Sequence, residues 1–326
     1  MATQAPARDA AGHERGRDAE RPRDVPVRGW VDVALRVKAA ASKDNASLVA
    51  AGLALYALLA VFPALTATIS LYGLFASPER IAGQIQSFSG MLPEQAASIL
   101  SDQMQSLASQ GGALGFGAVL GILIALWSAR KGMTAIMAAC NIAYNEEEQR
   151  GMVRMALVSL ALTFGAVVGF LVILLVAVAV PIVGQILGIG GPLQVLVTVA
   201  RWVLLWGLVV LGLAVVYRYA PDREPARWRW VTPGAAVAAT LWIVASVAFA
   251  VYVRNFGSYG AAYGSLGGVI VLLLWLYLSG YVVVLGAELN AELERQTRRD
   301  TTRGEQQPAG ERGAEAADAL GDAQTS

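Results

Sequence analysis

MALVSLALTFGAVVGFLVILLVAVAV, residues 155–180, is an uninterrupted apolar segment without a charged residue. It is longer than the roughly 20 residues that an α-helix needs to cross about 30 Å of hydrocarbon. Because backbone groups in lipid must pair within their own segment, the segment should form a helix and not a strand. It predicts a transmembrane helix.

The rest of the chain has the composition of a membrane protein. Of its 326 residues, 56% are hydrophobic and 15% are charged, and the mean hydropathy is +0.53. Five further apolar runs approach or exceed the length of a span: 46–75, 113–129, 193–216, 231–253 and 264–289. The alternating ten-residue pattern of an outer-membrane barrel does not occur in the sequence. We therefore predict an all-α polytopic membrane protein with six transmembrane helices.

The distribution of Lys and Arg predicts the orientation of these helices. The tail before residue 46 carries nine such residues, the segments 130–154 and 217–230 carry four each, and the tail after residue 289 carries five. The intervening segments 76–112 and 254–263 carry one each. Since cytoplasmic loops are enriched in Lys and Arg, both termini should face the cytoplasm.

The segments outside the runs divide into tails and amphipathic elements. Residues 1–27 and 296–326 have few large apolar side chains, so we expect disordered cytoplasmic tails around a membrane domain at 28–295. Trp30, Val33, Val37 and Ala41 share one face of a short helix before the first span. After the first span, apolar stripes in 76–112 predict an external amphipathic helical hairpin that lies at the interface, or alternatively a mobile lid.

Five motifs in chain order resemble one bacterial family. They are "AAGLALYALLAVFPAL" (50–65), "LWSARKGMTAIMAACNIAYN" (126–145), "WVTPGAAVAATLW" (230–242), "RNFGSYGAAYGSLGGVIVLLLWLYLSG" (254–280) and "LGAELNAELE" (285–294). The chain resembles the YihY/virulence factor BrkB family of inner-membrane proteins, long labelled ribonuclease BN. The resemblance implies a six-helix inner-membrane protein with a transport or lipid-related role in the cell envelope and supplies no catalytic residues.

The residues do not favour the ribonuclease label. Zinc-dependent hydrolysis needs several His and Asp ligands, whereas this chain has one histidine, His13, and one cysteine, Cys140, which we expect to be a buried apolar residue. Glu146, Glu147 and Glu148 are consecutive, so on a helix their side chains would point in different directions and would not converge on an ion. We expect this run to be a solvated loop. A net charge of +1 gives no basic groove for RNA. We predict no catalytic residues, no metal, no cofactor and no nucleic-acid partner.

Polar residues at membrane depth are the remaining candidates for function. An outer polar cluster is predicted near the junction of the last two spans: Arg201, Arg254, Asn255, Ser258, Tyr259, Tyr263 and Ser265. These side chains could contact a substrate in a cavity. Alternatively, the arginines reach the lipid headgroups and the tyrosines form part of an aromatic belt.

An inner polar cluster is predicted near the cytoplasmic face: Ser128, Arg130, Lys131, Asn141, Glu288 and Asn290, with Glu292 beside them. Counted from Gly264, Glu288 comes about 36 Å along its helix. Because a lone charge at that depth is costly, we expect Glu288 to pair with Arg130 or Lys131.

Two further features concern helix shape. Gly260, Gly264 and Gly268 repeat every four residues and should allow a neighbouring helix to approach closely, or alternatively mark a broken helix start. Pro63 should bend the first span.

Three function classes follow from the sequence. The first is a translocator of a small solute or lipid, the second is a membrane scaffold for envelope partner proteins, and the third is the disfavoured nuclease. The expected partners are membrane lipids, and the oligomeric state stays open.

Overall fold

The helices of the protein come from a computed structural model that describes residues 15–73, 114–188, 191–256 and 266–324. Within these ranges the side chains of 61–73, 114–126, 128, 185, 255–256 and 266 are not described. The helices are α1 (Val27–Lys43), α2 (Ala46–Gly73), α3 (Leu114–Tyr144), α4 (Met152–Ile186), α5 (Gly191–Tyr219), α6 (Trp228–Phe256), α7 (Leu266–Glu294) and the single turn α8 (Glu315–Asp318). A short 3₁₀ helix, Pro22–Asp24, precedes α1.

The six long helices α2 to α7 are arranged in chain order. Each packs against the next one along the chain, and α7 closes the ring by packing against α2. α7 also contacts α1, α3 and α8, so it has the most neighbours. One end of each long helix lies at the same end of the bundle, which we call the terminal end. These helix ends are Ala46, Tyr144, Met152, Tyr219, Trp228 and Glu294.

Apolar length confirms a helical membrane protein. Four of the described helices are long and apolar enough to cross a membrane: Met152–Gly184, Gly191–Tyr219, Trp228–Arg254 and Gly267–Glu294. The connection between the predicted spans 155–180 and 193–216 is shorter than the sequence indicated, because α4 continues through Pro181 to Ile186. α2 likewise continues through position 63, and the bend at Pro63 stays a prediction because its side chain lies outside the described ones.

The amphipathic helix before the first span is confirmed as α1. Val33 is fully buried against Trp230 and Leu293, and Ala41 packs with Ala46 and other residues of α2, α3 and α7. The apolar stripe of α1 therefore attaches this helix to the terminal end of the bundle. The hairpin predicted within 76–112 lies outside the described residues.

The described residues of the two tails contact each other. Arg17 Nη2 donates a 2.6 Å hydrogen bond to the carbonyl of Gly321, and Thr297 Oγ1 donates one of 2.8 Å to the carbonyl of Ala19. Thr297 and Ala19 are both buried. These contacts are made by side chains that satisfy backbone carbonyls, and the disorder of the tails stays a prediction.

Close helix approach occurs at other glycines than the predicted ones. A Cβ atom at Gly234 of α6 would overlap the carbonyl oxygen of Gly286 of α7, and one at Gly286 would overlap the Tyr217 hydroxyl. A Cβ at Gly268 would meet nothing within 4 Å. Gly260 and Gly264 lie outside the described part. The tight contact between α6 and α7 therefore lies near the terminal end.

Candidate functional site

Glu288 is a buried carboxyl group near the terminal end of α7. The residue has 0% of its surface exposed, and neither carboxyl oxygen accepts a hydrogen bond from a donor among the described residues. Its polar neighbour is another carboxyl group, that of Asp44. Glu288 lies six residues before the end of α7, or about 9 Å along the helix. Because burying an ionised carboxylate without a partner costs several kcal/mol, this group is costly to keep unless it serves a purpose.

The helix register explains where Glu288 lies. Gly280, Val284 and Glu288 are four residues apart and therefore share one face of α7. Gly280 contacts Ala50 and Leu53 of α2, and Val284 packs in the same small apolar cluster. Glu288 continues this face one turn towards the junction between α1 and α2.

The expected pairing of Glu288 with Arg130 or Lys131 is wrong. Arg130 Nε donates a 2.9 Å hydrogen bond to Ser159 Oγ of α4, and its guanidinium lies 4.8 Å from the ring of Trp127. Lys131 is exposed. Arg130 and Glu288 are on faces of α3 and α7 that point to different neighbours, and sequence spacing alone does not determine that rotation.

Two acidic residues and one arginine act on the charge of Glu288. The charge of Asp44, between α1 and α2, acts on it most strongly, followed by that of Glu292 on α7, whereas Arg295 acts in the opposite sense. Arg295 is itself engaged, because its Nη1 donates to Glu292 Oε1 at 2.5 Å. The surroundings therefore do not neutralise Glu288.

Glu292, one turn further along α7, has the partners that Glu288 lacks. Its Oε2 accepts a 2.6 Å hydrogen bond from Nε of Arg36 on α1, and both side chains are buried. Arg36 Nη2 also donates to Gln296 Oε1 at 2.7 Å. This network attaches α1 to α7, and its groups are saturated with partners.

Asn290 holds α6 against α7. Pro233 in the first turns of α6 has no N–H, and the next N–H, that of Gly234, donates to Asn290 Oδ1 at 2.8 Å. Asn290 Nδ2 donates to the carbonyl of Val231 at 3.0 Å. Asn290 is fully buried, and its amide oxygen and nitrogen are both bonded, so its role here is structural.

Asn141 holds two loops at the terminal end of α3. Its Oδ1 accepts a 2.8 Å hydrogen bond from the N–H of Asp222, and its Nδ2 donates to Glu148 Oε2 at 3.0 Å. Glu148 also forms an ion pair of 2.6 Å with Arg150. Asn141 is therefore another structural member of the predicted inner polar cluster, and the side chain of Ser128 lies outside the description.

The acidic run is bonded to its surroundings rather than simply solvated. Burial raises the pKa of Glu146, whose Oε1 accepts a hydrogen bond from the N–H of Glu315. The hydrogen bond from Arg150 lowers the pKa of Glu148, and that from Asn141 lowers it further. The described members thus have different partners.

The lowered pKa of Glu148 predicts a stability that depends on pH. A carboxyl whose folded pKa lies below its usual value of 4.5 stabilises the protein above that value, and the contribution is lost as the pH falls through the folded pKa. We expect Glu148→Gln to lower the thermal midpoint at pH 7 and to have little effect near pH 3. A pH series of melting curves checks this, with Glu311→Gln on an exposed carboxyl as the control. Equal effects of Glu148→Gln at both pH values would contradict the interpretation.

A second buried ion pair, Arg223 with Glu294, was not predicted. Arg223 Nη2 lies 2.6 Å from Glu294 Oε2, and its guanidinium stacks 4.8 Å from the ring of Tyr144. Burial alone would lower the pKa of Arg223, but the charge of Glu294 raises it. Burial also raises the pKa of Tyr144 well above its usual value. No local sequence signal connects these residues, since they come together only through the packing of α3 and α7 with the loop before α6.

Cys140 is buried, as its apolar surroundings predicted. Burial raises the pKa of its thiol to about 12, so the thiolate that reacts with maleimides is scarce at neutral pH.

Two members of the outer polar cluster have described side chains, Arg201 and Arg254, and the cluster itself stays a prediction. Arg201 lies about 15 Å along α5 from Gly191, with its guanidinium 5.5 Å from the ring of Trp202 and its Nε buried without a hydrogen-bond partner in the described ranges. Arg254 is exposed in the last turn of α6. The side chains of the other members are not described: Asn255, Ser258, Tyr259, Tyr263 and Ser265.

Comparison with known proteins identifies the family. A model of the family described as virulence factor BrkB matches residues 37–311. The chain belongs to this family. The resemblance found in the sequence motifs is thereby confirmed, and it covers all six long helices.

Relatives of this BrkB family member are named either as a ribonuclease-like protein or as UPF0761 membrane proteins. A ribonuclease-like protein, YfkH, of Bacillus subtilis strain 168 is 38% identical over 249 residues, which cover 74% of this chain and 87% of YfkH. A UPF0761 membrane protein of Rhodospirillum centenum is 28% identical over 249 residues, 76% of this chain and 54% of that protein. One of Tolumonas auensis is 40% identical over 79 residues, 24% of this chain and 26% of that protein. The chain thus spans about half or less of these two UPF0761 proteins.

No solved structure matches the chain. Family membership supports a membrane protein, and the names of the relatives establish neither transport nor catalysis. Within the described residues there is no group of three or more His, Cys, Asp and Glu side chains able to hold a metal ion. The geometry therefore directs attention to Glu288.

Proposed function

We propose that this protein is a six-span inner-membrane transporter for a small solute or lipid, and that the carboxyl of Glu288 is its proton-binding group. The observation that carries the proposal is the complete burial of Glu288 without a hydrogen-bond donor or a basic side chain bonded to it in the described part of the chain, and with the carboxyl of Asp44 beside it. Ionisable residues inside membrane helices are costly and are usually functional. A carboxyl that must be neutral to stay buried binds a proton in one state and releases it when water reaches it.

The location of Glu288 favours such a cycle. It faces the junction of α1 and α2, where Asp44 contributes a second negative charge. Two neighbouring carboxyls cannot both ionise cheaply, so the pair favours a bound proton while Glu288 is buried. The adjacent pairs at Arg36–Glu292 and Arg295–Glu292 hold the surrounding framework in place.

The number and orientation of spans belong to the same proposal. Six long helices in chain order return the chain to the end where it began, and Arg17 and Arg295 are in hydrogen-bond contact there. The enrichment of Lys and Arg in the segments at this end favours a cytoplasmic location. α2 and α3 supply the two spans beyond the four that apolar length alone identifies.

A membrane scaffold is the alternative function. The outer parts of α4 and α5 expose large apolar side chains, among them Phe164, Phe170, Leu171, Val199 and Trp202. Lipid would cover this surface in a transporter, whereas partner proteins would cover part of it in a scaffold. Because this surface fits either function, only a direct test of Glu288 distinguishes the transporter from the scaffold.

Carbodiimide labelling tests whether Glu288 is a protonated and reachable carboxyl. Dicyclohexylcarbodiimide reacts with protonated acids in apolar surroundings, and peptide mass spectrometry locates the product. We expect Glu288 to be modified in the folded protein, less so as the pH rises, and Glu292 to be unmodified because both of its oxygens are paired with arginines. Modification of Glu288 only after unfolding, or equal modification of both residues, would contradict the proposal.

A further inference from the structure

Arg218 is a buried guanidinium group without a hydrogen-bonding or ionic partner. It lies in the last turn of α5, at the terminal end, with 6% of its surface exposed. Its Nε and Nη1 atoms are buried and have no hydrogen-bond partner in the described ranges. Its third nitrogen, Nη2, is not one of these buried atoms without a partner. A positive charge that is largely removed from water normally has a carboxylate or another anion beside it.

Two aromatic rings hold this guanidinium. Its Cζ atom lies 4.6 Å from the ring centre of Trp228 and 5.4 Å from that of Tyr219. The two rings pack edge to face with their centres 6.3 Å apart, and both residues are exposed. The rings orient the planar group and restrict its side chain, so a ligand would meet a pre-organised donor.

The surrounding acidic residues are committed elsewhere. Asp222, four residues further along the chain, lies 3.5 Å from Arg150 and also accepts from the N–H of Gln149. Glu294 is bonded to Arg223. Arg218 therefore has unused donors at the place where a membrane helix ends between exposed aromatic side chains, which is the level of the lipid headgroups.

We propose that Arg218, Trp228 and Tyr219 form a binding site for a phosphate group. A guanidinium with free donors binds phosphate oxygens by charge-assisted hydrogen bonds. The exposed rings would pack against the part of the ligand next to its phosphate. The phosphate could belong to the headgroup of an anionic lipid or be a free inorganic ion. This site is separate from Glu288 and does not depend on the transport function.

Native mass spectrometry of the full chain in detergent tests the site. The probes are phosphatidylglycerol, diacylglycerol without phosphate, and inorganic phosphate. We expect phosphatidylglycerol to be retained, diacylglycerol to be lost, and Arg218→Met to weaken retention about tenfold, the effect of one charge-assisted hydrogen bond. Arg299→Met, on an exposed arginine after α7 that belongs to neither polar cluster, is the control and should retain phosphatidylglycerol as the wild type does.

A melting curve separates binding from folding. Arg218 has no hydrogen-bonding or ionic partner in the described part of the protein, and methionine keeps an apolar contact with the two rings. Arg218→Met should therefore leave the lipid-free protein folded, with a thermal midpoint close to that of the wild type. Phosphatidylglycerol should then raise the thermal midpoint of the wild type and not that of Arg218→Met.

The outcomes distinguish the sources of the phosphate. If only phosphatidylglycerol binds in an Arg218-dependent way, the ligand is a lipid headgroup. If inorganic phosphate raises the midpoint of the wild type alone and displaces the lipid, the ligand is the free ion. Equal retention and equal stabilisation in the wild type, Arg218→Met and Arg299→Met would overturn the proposal.

Discussion

Replacing Glu294 by Ala should lower the free energy of unfolding by about 3–5 kcal/mol, because it leaves the buried guanidinium of Arg223 without its carboxylate. The side chains of both partners are almost completely buried, with 2% and 0% exposed. Thr301 would lose a hydrogen-bond acceptor as well, since its Oγ1 donates to Glu294 at 2.6 Å. Unfolding in mixed micelles with increasing sodium dodecyl sulfate measures the change.

An exposed ion pair provides the control for Glu294→Ala. Arg23 and Asp24 are 3.8 Å apart, with 74% and 45% of their side chains exposed. Arg23→Ala should change the free energy of unfolding by no more than about 0.5 kcal/mol. The double variant Arg223→Met/Glu294→Leu should recover most of the loss, because it removes both buried charges. A loss in Glu294→Ala no larger than that in Arg23→Ala would contradict this account.

Gly234→Ala should be at least as damaging, with an expected loss of about 3 kcal/mol or more. The added Cβ would overlap the carbonyl oxygen of Gly286 and lie 2.5 Å from Asn290 Oδ1. Neither atom can move freely, because one is backbone and the other accepts a hydrogen bond from the N–H of Gly234. α6 and α7 would have to separate, and detergent unfolding should show the loss.

Gly268→Ala is the matched control for the close approach of α6 and α7. It adds the same methyl group to a membrane helix, but at a place where nothing lies within 4 Å. Alanine favours helix over glycine by about 0.5–1 kcal/mol, so this variant should be neutral or slightly more stable. Similar losses in both variants would show that the α6–α7 contact is not the tight one described.

Hydropathy and periodicity predicted the helices well because both depend on local sequence. The run 155–180 lies within α4, and the stripe at Val33 and Ala41 of α1 is buried as its spacing indicated. The extension of α4 through Pro181 was missed because proline is read as a stop, although a helix in a membrane can tolerate it. The contacts between the tails could not be predicted, because polar side chains make them and composition does not say which residues pair.

The candidate site was predictable only in part. The depth of Glu288 followed from counting residues along α7, but its lack of a partner depends on how α3 and α7 are rotated about their axes. Arg36 offered a local signal, since it lies next to Val33 and Val37 on the buried face of α1 and so had to find a partner. Arg218 was counted as one of four loop charges, and only the packing of Trp228 and Tyr219 distinguishes it.

Proton flux into vesicles tests the central claim most directly, that Glu288 carries protons in a transport cycle. The purified protein is reconstituted into liposomes that contain a pH-sensitive dye, and a potassium gradient with valinomycin drives proton entry. We expect uptake above that of protein-free liposomes, unchanged in the control Asp24→Asn, and reduced to the protein-free rate in Glu288→Gln. Equal uptake by the wild type and Glu288→Gln, or wild-type uptake no faster than that of empty liposomes, would contradict the claim and favour the scaffold.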